Sequence, residues 1–334
     1  MSGAVPSGFL ALPNVDATLA REIQDGLEQV EEVLRDTVAV SDPMLNEAAT
    51  HLLAAGGKRF RATLVLLASR FGDPTAPELV PAAVVVELTH VATLYHDDVM
   101  DEAELRRGKR SANQRWGNSI AILTGDFVFA RASELLADLG VEAVRLQART
   151  FGRLVQGQIL ETSGPRPGTD PLTHYLQVIA DKTASLIASS AEFGAMFSKA
   201  DPGVIETVTR ACEALGVAFQ LSDDILDVAG SPEESGKVPG TDLREGVLTL
   251  PMFYAQRSTS PEDKRLQELL GRPLDNAEAD EALRLLRAHP AMEAAYSDLR
   301  AWADKARAEF ATLPDLPPRW AFESLCDYVV ERTT

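Results

Sequence analysis

Two stretches of the chain place aspartates where they could hold a divalent cation. His96-Asp97-Asp98-Val99-Met100-Asp101-Glu102 and Gln220-Leu221-Ser222-Asp223-Asp224-Ile225-Leu226-Asp227 both contain Asp-Asp-x-x-Asp at the end of a strongly apolar run. Residues four apart share a helix face. Asp97 with Asp101, and Asp223 with Asp227, therefore each present two carboxylates in one direction. Hard cations take oxygen ligands, and Mg2+ commonly uses one or two carboxylates plus phosphate oxygens and water. Taken singly, each cluster also reads as a solvated helix end in an acidic protein. Against that, carboxylates at a helix C-terminus are unfavourable without a compensating cation. The recurrence of the pattern favours metal binding.

Basic groups stand near both clusters. Gly56-Gly57-Lys58-Arg59-Phe60-Arg61 opens an apolar run, with two glycines that allow a tight turn and with Lys58 and Arg61 three apart. Arg106-Arg107-Gly108-Lys109-Arg110 follows the first cluster, and Lys237 follows the second. Lys182-Thr183 interrupts an apolar segment, where an unpaired ammonium is unfavourable. Arg offers a planar fork that matches phosphate oxygens, and Lys a mobile point charge. Solvated basic turns and a snorkelling Lys182 are the plain alternatives. His90 lies seven residues before Asp97, two turns up the same expected helix; by itself a lone His there reads as a core residue. No His falls in a zinc spacing with Cys212 and Cys326. Walker A, nucleophile-elbow and dinucleotide-binding glycine motifs are missing from the sequence.

The elements that must carry these residues read as helices. Apolar residues recur at helical spacing and alternating strand patterns are scarce. Helices are expected at 15–40, 42–55, 58–71, 76–101, 119–139, 141–163, 171–199, 202–229, 247–258, 262–271, 276–289, 291–312 and 318–332. The loops at 164–169 and 231–246 are long for a bundle and are candidates for function. One all-α domain over 1–334 is the simplest organisation, with 1–14 as a flexible N-terminal segment. The chain has 334 residues, 45% of them apolar, which allows a large core. A net charge of −18 argues against nucleic acid as the main partner. Two cysteines form no disulfide framework, which fits a reducing, cytoplasmic setting. No Lys or Arg precedes Arg21, so no secretory signal is expected. No run reaches the roughly 18 uninterrupted apolar residues of a membrane span.

Together these residues resemble the trans-type isoprenyl diphosphate synthases, and the pattern is that of a bacterial long-chain member. The order is Gly-Gly-Lys-Arg-x-Arg, then Glu87-Leu88-Thr89-His90-Val91-Ala92-Thr93-Leu94-Tyr95-His96-Asp97-Asp98. Asp101-x-x-x-x-Arg106-Arg107-Gly108 follows, then Gly125-Asp126-Phe127, Lys182-Thr183, Phe219-Gln220-x-x-Asp-Asp-x-x-Asp, Gly236-Lys237, Thr241 to Gly246 and Thr249-Leu250-Pro251. The match runs from about residue 40 to 260. The resemblance implies an all-α isoprenoid synthase-type helical bundle with a deep central cavity, usually a homodimer. It implies that Asp97, Asp101 and Asp223, with Asp98, Asp224 and Asp227 behind them, hold Mg2+, three ions per active site with Mn2+ as a substitute. Arg106, Lys182, Thr183, Gln220 and Lys237 would bind an allylic diphosphate. Lys58, Arg61, His90 and Arg107 would bind isopentenyl diphosphate. Lys182 would join the aspartates in catalysis. Where the family often has Lys after Glu-Gly, this chain has Val247.

In that family, product length follows from what stands below the first cluster. Short-chain members commonly place an aromatic four or five residues before it; here those positions are Thr93 and Ala92, with Thr89 and Leu88 a turn further. Small residues there imply an open tunnel and a C30–C50 product of the kind used for a quinone side chain, with transient membrane contact for its release. Close helix packing is the other role open to Ala92 and Thr93. The alternatives are a short-chain farnesyl or geranylgeranyl diphosphate synthase, a class I terpene cyclase, or a non-catalytic subunit of a heteromeric synthase.

Overall fold

The computed structural model describes residues 15–230 and 239–333. The predicted segment 1–14 and Lys237 lie outside them. The expected helices form, most of them a few residues shorter than predicted. Helix α1 (Ala17–Val38) begins where the Asp16 carboxylate accepts from the Thr18 and Leu19 amides, and it buries Leu19, Ile23, Leu27, Val30, Leu34 and Val38 on one stripe. Each such side chain contributes about 1.5–3 kcal/mol when fully buried. Helix α2 (Pro43–Ala54) uses Asp42 as its cap and Pro43 as its first residue. Helix α3 (Phe60–Ala68) starts two residues later than predicted, because Arg59 is left-handed at φ 47°. Lys58 is therefore in the preceding turn and does not share a helical face with Arg61.

Helix α4 (Leu79–Met100) is buried around most of its circumference from Ala82 to Ala92. By length and composition it could cross a membrane, but 72% of its apolar window is buried inside the protein, as for a core helix. A two-stranded antiparallel hairpin, β1 (Leu105–Arg106) and β2 (Lys109–Arg110), follows it. Neither the hairpin nor the short helix α5 (Ala112–Trp116) is expected from periodicity, since both are too brief to show one. Helices α6 (Asn118–Leu139) and α7 (Val141–Ser163) match their predicted spans closely. The predicted single helix 171–199 is three pieces: α8 (Pro171–Ile179), a π-helical segment Ala180–Ala184, and α9 (Ser185–Phe197). Helix α10 (Pro202–Ala229) carries the second aspartate cluster. Shorter helices follow, including Thr241–Glu245 inside a predicted loop, and the long pair Ala291–Phe310 and Pro317–Glu331.

Two compact units emerge. One takes the chain up to Gly152 with Leu186–Thr209 and Leu313–Ala321; the other takes Arg153–Ser185, Arg210–Thr312 and Phe322–Thr334. The first cluster belongs to the first unit and the second cluster to the second.

Candidate active site

In the first unit, α4 ends in the aspartates. Asp97 is half-buried and Asp101 exposed, whereas Asp98 is fully buried. Arg106 on β1 donates from Nε to Asp98 Oδ1 at 2.6 Å. The hairpin thereby brings a guanidinium back onto the helix end, which offsets the unfavourable placement of carboxylates there. Burial pushes the Asp98 carboxyl up, and the Arg106 charge pulls it back. Asp98, buried and paired with Arg106, thus stands behind the more exposed Asp97 and Asp101 as a support for the cluster.

Arg107 takes a left-handed conformation at φ 53°. Its Nη1 donates to the carbonyls of Leu52, at 2.8 Å, and Gly56 at the end of α2. A Cβ on Gly57 would stand 3.3 Å from that guanidinium, so the second glycine is a matter of space. Gly56 itself has φ +85°, which a side chain rarely adopts. Lys58 is exposed and Arg61 half-buried. His90 is held well below its ordinary pKa, first by desolvation and then by the charges of Arg61, Arg107, Arg106 and Arg59. A neutral imidazole among four guanidiniums marks a pocket of positive potential. Lys58, Arg61, His90 and Arg107 all belong to this unit.

Below the cluster, Thr93 is half-buried and its hydroxyl donates to the His90 carbonyl at 2.8 Å. Ala92 is buried, and its carbonyl is 3.1 Å from where a Cβ on Gly125 of α6 would lie. The α4 backbone at Ala92 thus lies close to α6, while Thr93 keeps some exposed surface. Leu88 and Thr89 are buried. Gln147 of α7 donates to the Thr89 hydroxyl at 2.7 Å, a buried polar pair that local spacing does not reveal.

In the second unit, Asp223 is half-exposed and Asp224 buried. Arg332, near the end of the last helix, pairs with Asp223 Oδ1 at 2.9 Å. The same guanidinium donates to Ser222 Oγ at 2.6 Å and to the Phe219 carbonyl at 2.8 Å, and lies over the Phe219 ring. Asp224 accepts from Tyr175 of α8 and, at 2.9 Å, from Gln220 Nε2. Burial pushes its carboxyl up to about 7; the Tyr175 and Gln220 hydrogen bonds oppose this, and the neighbouring Asp223 and Asp227 reinforce it. Asp227 accepts from the Thr241 and Asp242 amides at 3.1 and 3.2 Å and so caps helix Thr241–Glu245. Val247 is exposed and donates its amide to Asp242.

Lys182 and Thr183 fall in the π segment. Such bulges often mark functional positions. Thr183 donates to Gln220 Oε1 at 3.1 Å, which continues a chain Thr183–Gln220–Asp224–Tyr175. Lys182 pairs with Glu161 of α7. Arg153 braces the bulge by donating to Asp181 at 2.8 Å and to the Ala180 carbonyl at 3.3 Å. A Cβ on Gly157 would come within 2.5 Å of the Lys182 amide nitrogen, so α7 approaches here as only a glycine allows. Tyr175, Glu161 and Arg332 stand too far along the chain from their partners for spacing to reveal them.

Among the described residues, no group of three or more His, Cys, Asp or Glu could hold an ion unaided. Carboxylate oxygens that fill part of a coordination shell, with phosphate and water for the rest, are what Mg2+ accepts. Asp97, Asp101 and Asp223 fit that donor chemistry.

A model of the family described as Polyprenyl synthetase matches residues 42–286. The chain belongs to this family. The nonaprenyl diphosphate synthase of Mycobacterium tuberculosis (strain ATCC 25618 / H37Rv) is 47% identical over 319 residues, 95% of each chain. The geranylgeranyl pyrophosphate synthase of Corynebacterium glutamicum, solved with calcium and isoprenyl diphosphate, is 44% identical with a TM-score of 0.85 over 95% of this chain and 98% of that one. A polyprenyl synthase of Caulobacter crescentus CB15, also solved with calcium and isoprenyl diphosphate, is 34% identical with a TM-score of 0.88 over 97% and 100%. As in these polyprenyl synthetase family structures, the fold is the all-α isoprenoid synthase fold.

Proposed function

We propose that this protein is a Mg2+-dependent prenyltransferase that condenses an allylic diphosphate with isopentenyl diphosphate and releases an all-trans polyprenyl diphosphate of C30–C50. The observation that carries the chemistry is the repeated cluster, each copy with an outward aspartate and a buried, hydrogen-bonded one behind it. Asp97, Asp101 and Asp223 are the Mg2+ ligands; Asp98, Asp224 and Asp227 support them. The metal supplies charge stabilisation for the departing diphosphate.

Arg106, Lys182, Thr183 and Gln220 bind and orient that diphosphate, and their charges and dipoles favour its release from the allylic carbon. Lys237 is assigned to the same role from the family pattern. Lys58, Arg61, His90 and Arg107 hold isopentenyl diphosphate, with neutral His90 as a hydrogen-bond donor. The apolar wall below Asp97 excludes water from the carbocation. The double bond of isopentenyl diphosphate then attacks the allylic carbon, and loss of a proton to the released diphosphate gives an allylic product one C5 unit longer.

The long product is argued from the lack of an aromatic at Ala92 and Thr93 and from the 47% identity to a nonaprenyl diphosphate synthase. The 44% identity to a geranylgeranyl pyrophosphate synthase favours a shorter one. A product assay separates them: labelled isopentenyl diphosphate, Mg2+ and geranyl, farnesyl or geranylgeranyl diphosphate, with length read by reversed-phase chromatography. Products of C30 or longer are expected; a stop at C20 discards the open tunnel, and no elongation discards the reading. Because Ala92 is buried and Thr93 keeps some exposed surface, Thr93→Phe is the better variant for closing the tunnel, and it should shorten the product.

The two units act as one synthase domain, as the family match across both suggests. We also assign a homodimer and a cytoplasmic setting. Exposed Ile122 and Leu123 on α6 and Val141 and Val144 on α7 offer apolar surface for self-association, and sedimentation at micromolar concentration tests it.

A further inference from the structure

The Gly-Gly-Lys-Arg-x-Arg segment contains one basic residue without a role above. Arg59 is 3% exposed, and Glu87, one turn before His90 on α4, is 2% exposed. Charged side chains are almost never so buried unless paired. The Arg59 guanidinium binds Glu31 of α1 through Nε, with Nη2 3.3 Å from Glu31 Oε2. Its Nη1 stands 3.8 Å from Glu87 Oε2. The other Glu87 oxygen accepts from the Ala62 amide at 3.0 Å, in the first turn of α3.

That amide belongs to a helix whose own N-cap residue makes no side-chain cap. Glu87 therefore does from α4 what a capping Ser or Asp would do locally, and its charge suits the positive end of α3. Arg59 meanwhile adopts a left-handed backbone at φ 47°, strained for a side-chain-bearing residue and held by contacts elsewhere. The three groups lock one geometry: the turn carrying Lys58, the start of α3 carrying Arg61, and the turn of α4 carrying His90. A buried ion cluster stabilises a fold poorly compared with apolar packing, so its use here points to register.

We infer that Arg59 and Glu87 are positioning residues for isopentenyl diphosphate: they set Lys58, Arg61 and His90 in one arrangement without touching the ligand. This inference rests on the proposed assignment of those three residues to that substrate. The test is steady-state kinetics of Glu87→Gln with both substrates varied, together with calorimetric binding of isopentenyl diphosphate. Glu87→Gln keeps the size and one acceptor but removes one of the two carboxylate charges that face Arg59. KM and Kd for isopentenyl diphosphate should rise about tenfold, with KM for the allylic diphosphate unchanged. The double variant Arg59→Gln/Glu87→Gln, which removes both charges, should recover part of that loss. A uniform drop in kcat with both KM values unchanged would mean a purely structural cluster and overturn the inference. Should Glu87→Gln fail to fold, Arg59→Lys carries the same test, since it keeps the charge and loses the fork. Lys58→Ala and Arg61→Ala serve as references. If they leave the isopentenyl KM unmoved, the substrate assignment itself is wrong; if they raise it and Glu87→Gln does not, only the positioning role falls.

Discussion

The two aspartate clusters share a pattern, but their charges are balanced at different places. On α4 the buried middle residue, Asp98, receives a guanidinium from Arg106, and the outward Asp97 is half-buried. On α10 the buried middle residue, Asp224, receives only neutral donors, Tyr175 and Gln220, while the outward Asp223 takes the guanidinium of Arg332. The consequence is electrostatic. In the first cluster a guanidinium meets the buried aspartate, and in the second a guanidinium meets the outward one. The same four-residue spacing is therefore backed by a charged donor in one cluster and by neutral donors in the other.

The largest effect should come from the outward aspartates. Asp97→Ala and Asp223→Ala should each lower kcat about a hundred- to a thousandfold, and Mn2+ titration by electron paramagnetic resonance should show weakened binding. Near-normal activity in either variant would remove that cluster from the metal assignment.

Next come the buried partners, where the difference between the clusters is sharpest. Asp98→Asn leaves Arg106 without its ion pair and should destabilise the protein by about 2–3 kcal/mol. Asp224→Asn loses no ion pair and should change stability by under about 1 kcal/mol. Urea unfolding of both variants would decide, and a reversed order would contradict the account of how each is held.

Arg332→Gln should act more mildly. Removal of a positive charge from Asp223 should tighten Mn2+ binding a few-fold, while loss of the Ser222 and Phe219 contacts should lower the melting temperature modestly. Weaker binding would show that Arg332 orients Asp223 rather than competing for it.

The smallest effect concerns pH. His90 in the folded protein is held well below its ordinary value, so as pH falls through about 6.5 the unfolded chain takes up a proton there that the folded one does not. Stability should fall with pH in that window, and His90→Gln should flatten the profile of melting temperature against pH. An unchanged slope would mean that His90 does not lie in the positive pocket described.

Much of this molecule was legible in its sequence because its elements are long and periodic. Helices α4, α6, α7 and α10 each carry enough turns for the apolar stripe to declare itself, and both clusters are read within eight consecutive residues. What escaped is what periodicity cannot encode. The π segment breaks the predicted 171–199 helix without disturbing its apolar run, because burial continues through Ala184 and Leu186. The turn at Arg59 hides behind a residue type that rarely takes that conformation. Tyr175 and Arg332 reach Asp224 and Asp223 across about fifty and a hundred residues of chain, where local spacing holds no signal.

The π segment also has a consequence for insertions and deletions. A π turn is an α-helix with one residue too many, wrapped in place. Ala180–Ala184 is thus a reserve of chain length inside a helix. Loss of one residue there would let the backbone close into an ordinary α ladder, so the fold has a way to absorb it. Lys182 and Thr183 would then turn away from Glu161 and Gln220 by about the 100° that one helical residue spans. At this point in the chain, length can change without unfolding the protein, while the direction of two side chains cannot change without losing their partners.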